Sequence, residues 1–300
     1  MEEGIIMKKS TKHRIKTLYG SGENGFTMVE LLVAMSISAI LAMLAFQFLT
    51  SMASSFGEKR QVAEMQQELR WGMNFLSETV QLAGNGVPPT SGWPVIEATD
   101  MPSGEPDSLT IMGCFKSINV TTTQQWGNSG SQEKLDDTSE IEIGDLAVIS
   151  DGTYSEIFMI TDKTDLHVWH DTYLPWNDDK QLEHRYAAGS TLTVISYYQF
   201  YVETTDEGRK NLVLKHQYYP PQILVGDVED FQVRFQMKNG GWIDEPDSDE
   251  IYDIRLVEVT IKARSPEPVP NYTDPAYGDG YVRVELKSKI IPKNITITII

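Results

Sequence analysis

An α+β fold is predicted for this chain, with one long N-terminal helix packed on an antiparallel β-sheet domain, and three observations predict it. Residues 26–50 form a predominantly apolar run whose one charge is Glu30. The next stretch, up to residue 83, keeps apolar residues at spacings of three and four. From residue 141 onward, short runs with alternating apolar positions are separated by Gly-, Pro- and Asp-rich connections.

Residues 1–25 read as a leader. They hold Lys8, Lys9, Lys12, Arg14 and Lys16 against Glu2, Glu3 and Glu23, and Met7 is an alternative start. A secretory signal puts its cleavage site after the apolar core, beside small residues. Here a basic stretch ends in Gly25 directly before the apolar run. The basic excess predicts a cytoplasmic N-terminus and a C-terminal bulk on the other side of the membrane.

Residues 26–50 meet the roughly 20 apolar residues that a membrane-crossing helix needs. A charged side chain at the centre of such a helix costs about 2.5–3.5 kcal/mol on insertion scales, and less toward the end, where Glu30 lies. The run GFTMVELLVAMSISAILAMLAFQFL, from Gly25 to Leu49, resembles the class III signal of type IV prepilins in its Gly, Phe, Thr and then Glu order. That resemblance implies cleavage between Gly25 and Phe26 by a prepilin peptidase/methyltransferase, followed by N-methylation of Phe26. Within a parallel helix bundle, the Glu30 carboxylate of one subunit would then pair with the Phe26 amine of its neighbour. The competing reading is an ordinary signal anchor whose Glu30 reaches toward the headgroups.

Residues 51–83 continue the helix in amphipathic form. Val62, Met65, Leu69, Met73, Leu76 and Val80 fall on one face, while Glu58, Lys59, Gln66, Gln67 and Arg70 lie elsewhere. Gly57, with Ser54 and Ser55, is the expected bend between the two halves. Gly84, Gly86, Pro88 and Pro89 are expected to end the helix.

Residues 84–300 are expected to form a β-rich extracytoplasmic domain. Ile141–Ser150 and Ser155–Thr161 are predicted to pair about a tight turn at Asp151 and Gly152, and Ser190–Glu203 is predicted to pair with Asn211–Tyr219. Phe231, Val233, Phe235 and Met237 alternate with polar residues, as do Val257, Val259, Ile261 and Ala263, and then Val282, Val284 and Leu286. Long loops are expected at 87–108, 121–138, 175–189 and 265–280.

Lys and Arg total 25 against 43 Asp and Glu, a net charge of −18. That surface disfavours nucleic acid and anionic headgroups, so no nucleic-acid partner is expected. Cys114 is the single cysteine. It excludes an intramolecular disulfide and is read as a small buried thiol in preference to an intermolecular bridge.

The catalytic and ligand-binding signals are weak, and no catalytic, cofactor-binding or metal site is expected. Gly20, Gly22 and Gly25 match a dinucleotide fingerprint formally but precede a membrane helix, the wrong context for one. His167 and His170, beside Trp169 and Asp171, lack metal-ligand spacing and read as a solvated hairpin end. His184 and His216 stand alone. Asp136 with Asp137, Asp178 with Asp179, and Glu245, Asp247, Asp249 and Glu250 read as solvated loops, the last group being the best calcium alternative. Trp93, Trp126 and Trp176 would form either an adhesive surface or part of the core.

The blocks QELRWGMNFLSETVQLAGNG, VGDVEDFQVRFQM, IYDIRLVEVTIKARS and VRVELKSKIIPKN together resemble the PilW family of type IV pilus minor pilins. The resemblance implies the type IV pilin-like fold and a non-enzymatic subunit that helps initiate pilus assembly in a tip or priming complex. Its partners would be other minor and major pilins and the inner-membrane assembly platform. The precursor would sit in the bacterial inner membrane, its C-terminal domain periplasmic, before entering a pilus or pseudopilus. The J pseudopilin of type II secretion is similar in the same regions, with Gly240, Gly241 and Trp242 also suiting it. A membrane-anchored extracytoplasmic enzyme or a calcium-binding adhesin is the alternative from another class. Gln47 stands where major pilins commonly carry a proline.

Overall fold

The computed structural model describes residues 25–296 apart from 102–104, 117, 126–129, 131, 178–180, 218 and 271. The leader's basic cluster, Gly20 and Gly22, Trp126, and Asp178 with Asp179 lie outside the described residues. The chain divides into two compact units, Met1–Phe56 and Gly57–Ile300.

Helix α1 is a single element, Met28–Gln81. It is assigned as helix without interruption at Gly57, the expected bend. In the first unit its apolar side chains are exposed throughout. In the second unit Met65, Leu69, Met73, Leu76 and Val80 are buried and Val62 is half-buried against the same core, along the stripe the spacing predicts. After Gln81 the chain turns through Gly84, whose φ is +75°. The Gly84 N–H donates to Met112 O (2.9 Å) and the Cys114 N–H to Asn85 O (2.7 Å), fastening the helix end to a strand.

The strands are β1 (Ile96–Thr99), β2 (Ser108–Gly113), β3 (Asn119–Thr121), β4 (Gln132–Lys134), β5 (Leu146–Ser150), β6 (Ser155–Met159), β7 (Asp162–Lys163), β8 (His167–Trp169), β9 (Thr191–Thr204), β10 (Lys210–His216), β11 (Gln222–Val225), β12 (Val228–Met237), β13 (Trp242–Ile243), β14 (Ile254–Arg264) and β15 (Arg283–Ile290). A short helix, α2 (Lys293–Thr296), follows. All pairings are antiparallel. The predicted α+β class is therefore observed, a long N-terminal helix followed by antiparallel sheets.

Strand β9 organises the largest sheet. Its residues 196–204 pair with β2 on one edge and β10 on the other, while residues 191–195 pair with β3 and β5. β12 and β14, flanked by β13 and β15, form a second sheet, and β4, β8 and β7 a third. The buried stripe of α1 shares one core with Leu109, Ile111, Phe200, Leu212, Phe231, Phe235, Val257 and Ile261. Two glycines permit close approach there. A Cβ on Gly72 would lie 2.4 Å from Val225 Cγ2, and one on Gly113 would lie 2.7 Å from the Leu82 carbonyl oxygen.

A second core gathers Leu135, Ile141, Phe158, Ile160, Val168, Tyr186, Leu192 and Val194. β5 separates the two, with Leu146 and Val148 facing the first core and Ala147 and Ile149 the second. A strand buried on both faces reads as a continuous apolar run rather than an alternating one.

Several expectations are corrected. The strand expected to begin at Ile141 begins at Leu146, because Asp145 accepts the Glu142 N–H (2.7 Å) in a turn. The turn after β5 spans four residues, Asp151–Tyr154, since Ser150 pairs with Ser155. Asp151 Oδ1 accepts from the N–H groups of Thr153 and Tyr154 at 2.8 Å, an aspartate-stabilised turn in place of a two-residue one. The loops expected at 87–108 and 121–138 contain β1 and β4.

The loop 265–280 connects β14 and β15 as expected, but it is tied down. The largely buried Arg283 donates to both Asp279 oxygens at 2.7 Å, to Glu229 at 2.7 Å and to Asp274 at 3.3 Å, with the Tyr277 ring centroid 4.0 Å from its guanidinium carbon. The Arg283 hydrogen bonds hold the Asp279 carboxyl at about 2. The Ala276 and Tyr277 backbone N–H groups, and then Arg283, depress Asp274. A carboxylate whose folded pKa lies below its unfolded value contributes stability above the unfolded value and loses it as pH falls through the folded one. The loop's attachment is therefore expected to weaken below about pH 4, the free aspartate value, and to be lost near the Asp279 value. Hydrogen-exchange mass spectrometry, corrected for intrinsic rates, should show residues 265–280 losing protection on acidification before β12 and β14 do. Simultaneous loss would contradict this.

Candidate processing and assembly segment

Gly25 and Phe26 precede the first turn of α1, and Phe26 is 88% exposed. Among the described residues, a Cβ at Gly25 would meet nothing within 4 Å. Thr27 and Glu30 then form a reciprocal cap. The Glu30 N–H donates to Thr27 Oγ1 (3.2 Å), while the Thr27 N–H and hydroxyl both donate to Glu30 Oε2 (2.9 Å each). This capping box satisfies amide groups that the first helical turn leaves without partners. It is legible in the sequence as Thr-x-x-Glu before an apolar run, a signal that a reading of Glu30 as an intersubunit partner alone overlooks.

The cap also settles where the carboxylate points within its own chain. Oε2 lies 2.9 Å from the amide nitrogen of the residue directly after Phe26. Both described intrachain bonds to the carboxylate use Oε2.

Beyond Glu30 no charged side chain occurs until Glu58. By length and composition this helix is apolar enough to cross a membrane, and none of its most apolar stretch is buried. At 1.5 Å per residue the apolar part, residues 28–56, is about 40 Å long, more than the roughly 30 Å hydrocarbon core. Two of its hydroxyls turn inward to the helix. Ser36 Oγ donates to Leu32 O (2.8 Å) and Thr50 Oγ1 approaches the Phe46 and Gln47 carbonyls (3.1 and 3.0 Å). Such bonds lower the cost of hydroxyls in lipid.

The other candidate residues take structural places. His167 lies on β8, and His170 is 1% exposed, its Nε2 3.6 Å from Glu133 Oε1 and its ring 5.0 Å from that of Phe158. The expectation of a solvated hairpin end fails for His170, because the β4–β8 pairing brings Glu133 beside it and Phe158 of β6 packs against its ring. Burial pushes the Glu133 carboxyl up, and His170 partly opposes this. His184 stacks on Tyr154 at 4.1 Å and borders a cleft with Glu156. Glu156 is spent on structure. Its Oε1 accepts from Tyr186 Oη (2.8 Å) and the His184 N–H (2.9 Å), and its Oε2 accepts from the Glu183 N–H (2.8 Å). His216 contacts Tyr198 and Tyr219.

The acidic loops follow the same pattern. Asp136 accepts from Thr121 N–H and Asp137 from Ser139 N–H, each at 2.8 Å. Glu245, Asp247, Asp249 and Glu250 are solvent-facing, with Glu250 accepting the Asp247 N–H at 3.2 Å. Among the described residues no group of three or more His, Cys, Asp or Glu side chains is arranged to hold a metal ion. Cys114 is a buried free thiol. Trp93 and Trp176 lie with ring centroids 4.7 Å apart, tilted by 34°, and pack on the first core.

The family description "Prokaryotic N-terminal methylation motif" matches residues 20–46, a span that includes the Gly25–Phe26 bond and Glu30. A type IV-like pilin of Thermus thermophilus aligns with a TM-score of 0.39 and 11% identity, over 77% of this chain and 98% of that one. That overlap is loose, and the fold class rests on the elements described above. No curated protein matches the chain. The N-terminus is thus of the type IV prepilin kind, and its apolar helix fits a membrane-anchored precursor.

The cap makes a local prediction. In a lipid-embedded peptide of residues 26–50, Thr27→Ala should cost about 0.5–2 kcal/mol of first-turn stability, as loss of an N-cap does. Amide exchange at Val29 and Glu30 should rise while exchange at the helix centre is unchanged. Unchanged exchange at Glu30 would show that the cap contributes nothing there.

Proposed function

We propose that this chain is a PilW-like minor pilin, a structural subunit and not an enzyme, that helps prime type IV pilus assembly from a tip complex. The observation that carries the reading is the methylation motif at residues 20–46, near whose start an exposed Gly25–Phe26 bond precedes an exposed apolar helix. On this reading residues 1–25 are removed, Phe26 becomes the methylated N-terminus, residues 26–50 lie in the membrane and then in the pilus core, and residues 84–300 stand outside the cytoplasm. The partners are the prepilin peptidase/methyltransferase, other pilins and the inner-membrane assembly platform.

Glu30 has two parts in this scheme. Oε2 caps its own helix, and the carboxylate's charge neutralises the Phe26 amine of a neighbour. An unpaired charge in lipid is expensive, so the pairing favours the assembled state.

The two parts separate by substitution, since glutamine also completes a capping box but carries no charge. In the native host, Glu30→Gln is expected to be excluded from sheared pili as thoroughly as Glu30→Ala, while Thr27→Ala still enters them. Full incorporation of the glutamine variant would contradict the charge-pairing role. Normal piliation in a strain lacking this protein would contradict the priming role.

A further inference from the structure

We propose that the groove between α1 and the β10–β11 hairpin docks a peptide segment of a partner protein that presents an aromatic side chain next to a carboxylate. The groove encloses about 320 Å³ between Trp71 and Phe75 of α1 and Leu214, Tyr219, Ile223 and Leu224 of the hairpin region. That volume lies at the lower end of the range for small-ligand sites, enough for one aromatic side chain and its neighbour.

Its wall is a ladder of rings. Trp71 stacks on Phe75 at 6.1 Å, Phe75 meets the edge of Tyr198 at 6.1 Å, Tyr198 approaches His216 at 5.0 Å, and His216 approaches Tyr219 at 5.4 Å. Aromatic pairs prefer these offset and edge-on arrangements, so an incoming ring would extend the ladder. The apolar surface continues past the rim, where Trp71 is 59%, Tyr219 58% and Ile223 62% exposed. Large aromatic residues left exposed around a pocket mark a protein contact more than an enclosed small-molecule site.

Charge selects the second feature of the occupant. The chain carries 43 acidic side chains against 25 basic ones, yet no carboxylate is among the described residues that line this groove. Its one ammonium is Lys116, exposed at the rim and in no ion pair among the described residues. Burial, and then the Lys116 charge, lower the His216 pKa, and Lys116 is the ammonium that the groove presents. An aromatic anchor beside a carboxylate satisfies both the ring wall and the lysine.

The test uses the full chain in lipid nanodiscs, titrated calorimetrically with acetyl-Ala-Phe-Asp-Ala-amide, with its Phe-Asn twin and with free N-acetylphenylalanine. The Phe-Asp peptide should bind about fivefold more tightly than the neutral twin, as one exposed ion pair allows. Lys116→Gln should abolish that preference, and Trp71→Ala should weaken both peptides. Both residues are exposed, and unchanged circular dichroism would confirm that the variants fold. Equal affinity of the twins, no binding of either, or binding of N-acetylphenylalanine with the peptides excluded would each overturn the proposal.

Discussion

The buried stripe of α1 is the constraint on which the rest of the molecule depends. Met65, Leu69, Met73, Leu76 and Val80 supply one side of a core that β2, β9, β10, β12 and β14 complete. Each fully buried side chain of this kind contributes about 1.5–3 kcal/mol, so the stripe anchors both larger sheets at once. The glycines at positions 72 and 113 follow from it. The helix lies so close to β11 and to the end of β2 that a methyl group at either position would strike Val225 or the Leu82 carbonyl.

The same helix has two chemical regimes. Before Gly57 the apolar side chains are exposed, the Ser36 and Thr50 hydroxyls are returned to the helix backbone, and the one carboxylate is held at the cap. From Gly57 on, one face is apolar and buried while charged residues such as Arg60 and Glu64 pair on the other. The methylation motif falls on the first regime alone.

Legibility in the sequence followed the physics of each signal. The α1 stripe and the alternating β12 and β14 were readable because each has one buried face, and one-sided burial leaves a period. β5 was harder to bound, because Leu146–Ile149 is buried on both faces and has no period to mark its start. The third sheet was missed entirely. β4, β7 and β8 have two or three residues each, too few to show alternation, and the buried Glu133 and His170 carry polar letters. At the N-terminal segment the type and order of Gly25, Phe26 and Glu30 are legible, and Thr27 is legible as their cap, but the charge of Glu30 points to a partner as readily as to its own helix. The ring ladder of Trp71, Phe75, Tyr198, His216 and Tyr219 was invisible, since it joins residues far apart in the chain.

The central claim is that the chain is a prepilin whose Gly25–Phe26 bond is cut. Mass spectrometry of the protein isolated from pilus fractions of its native host tests it most directly. The account predicts an N-terminal peptide that begins with N-methylphenylalanine at position 26. An intact leader, or an N-terminus beyond the apolar run, would contradict it.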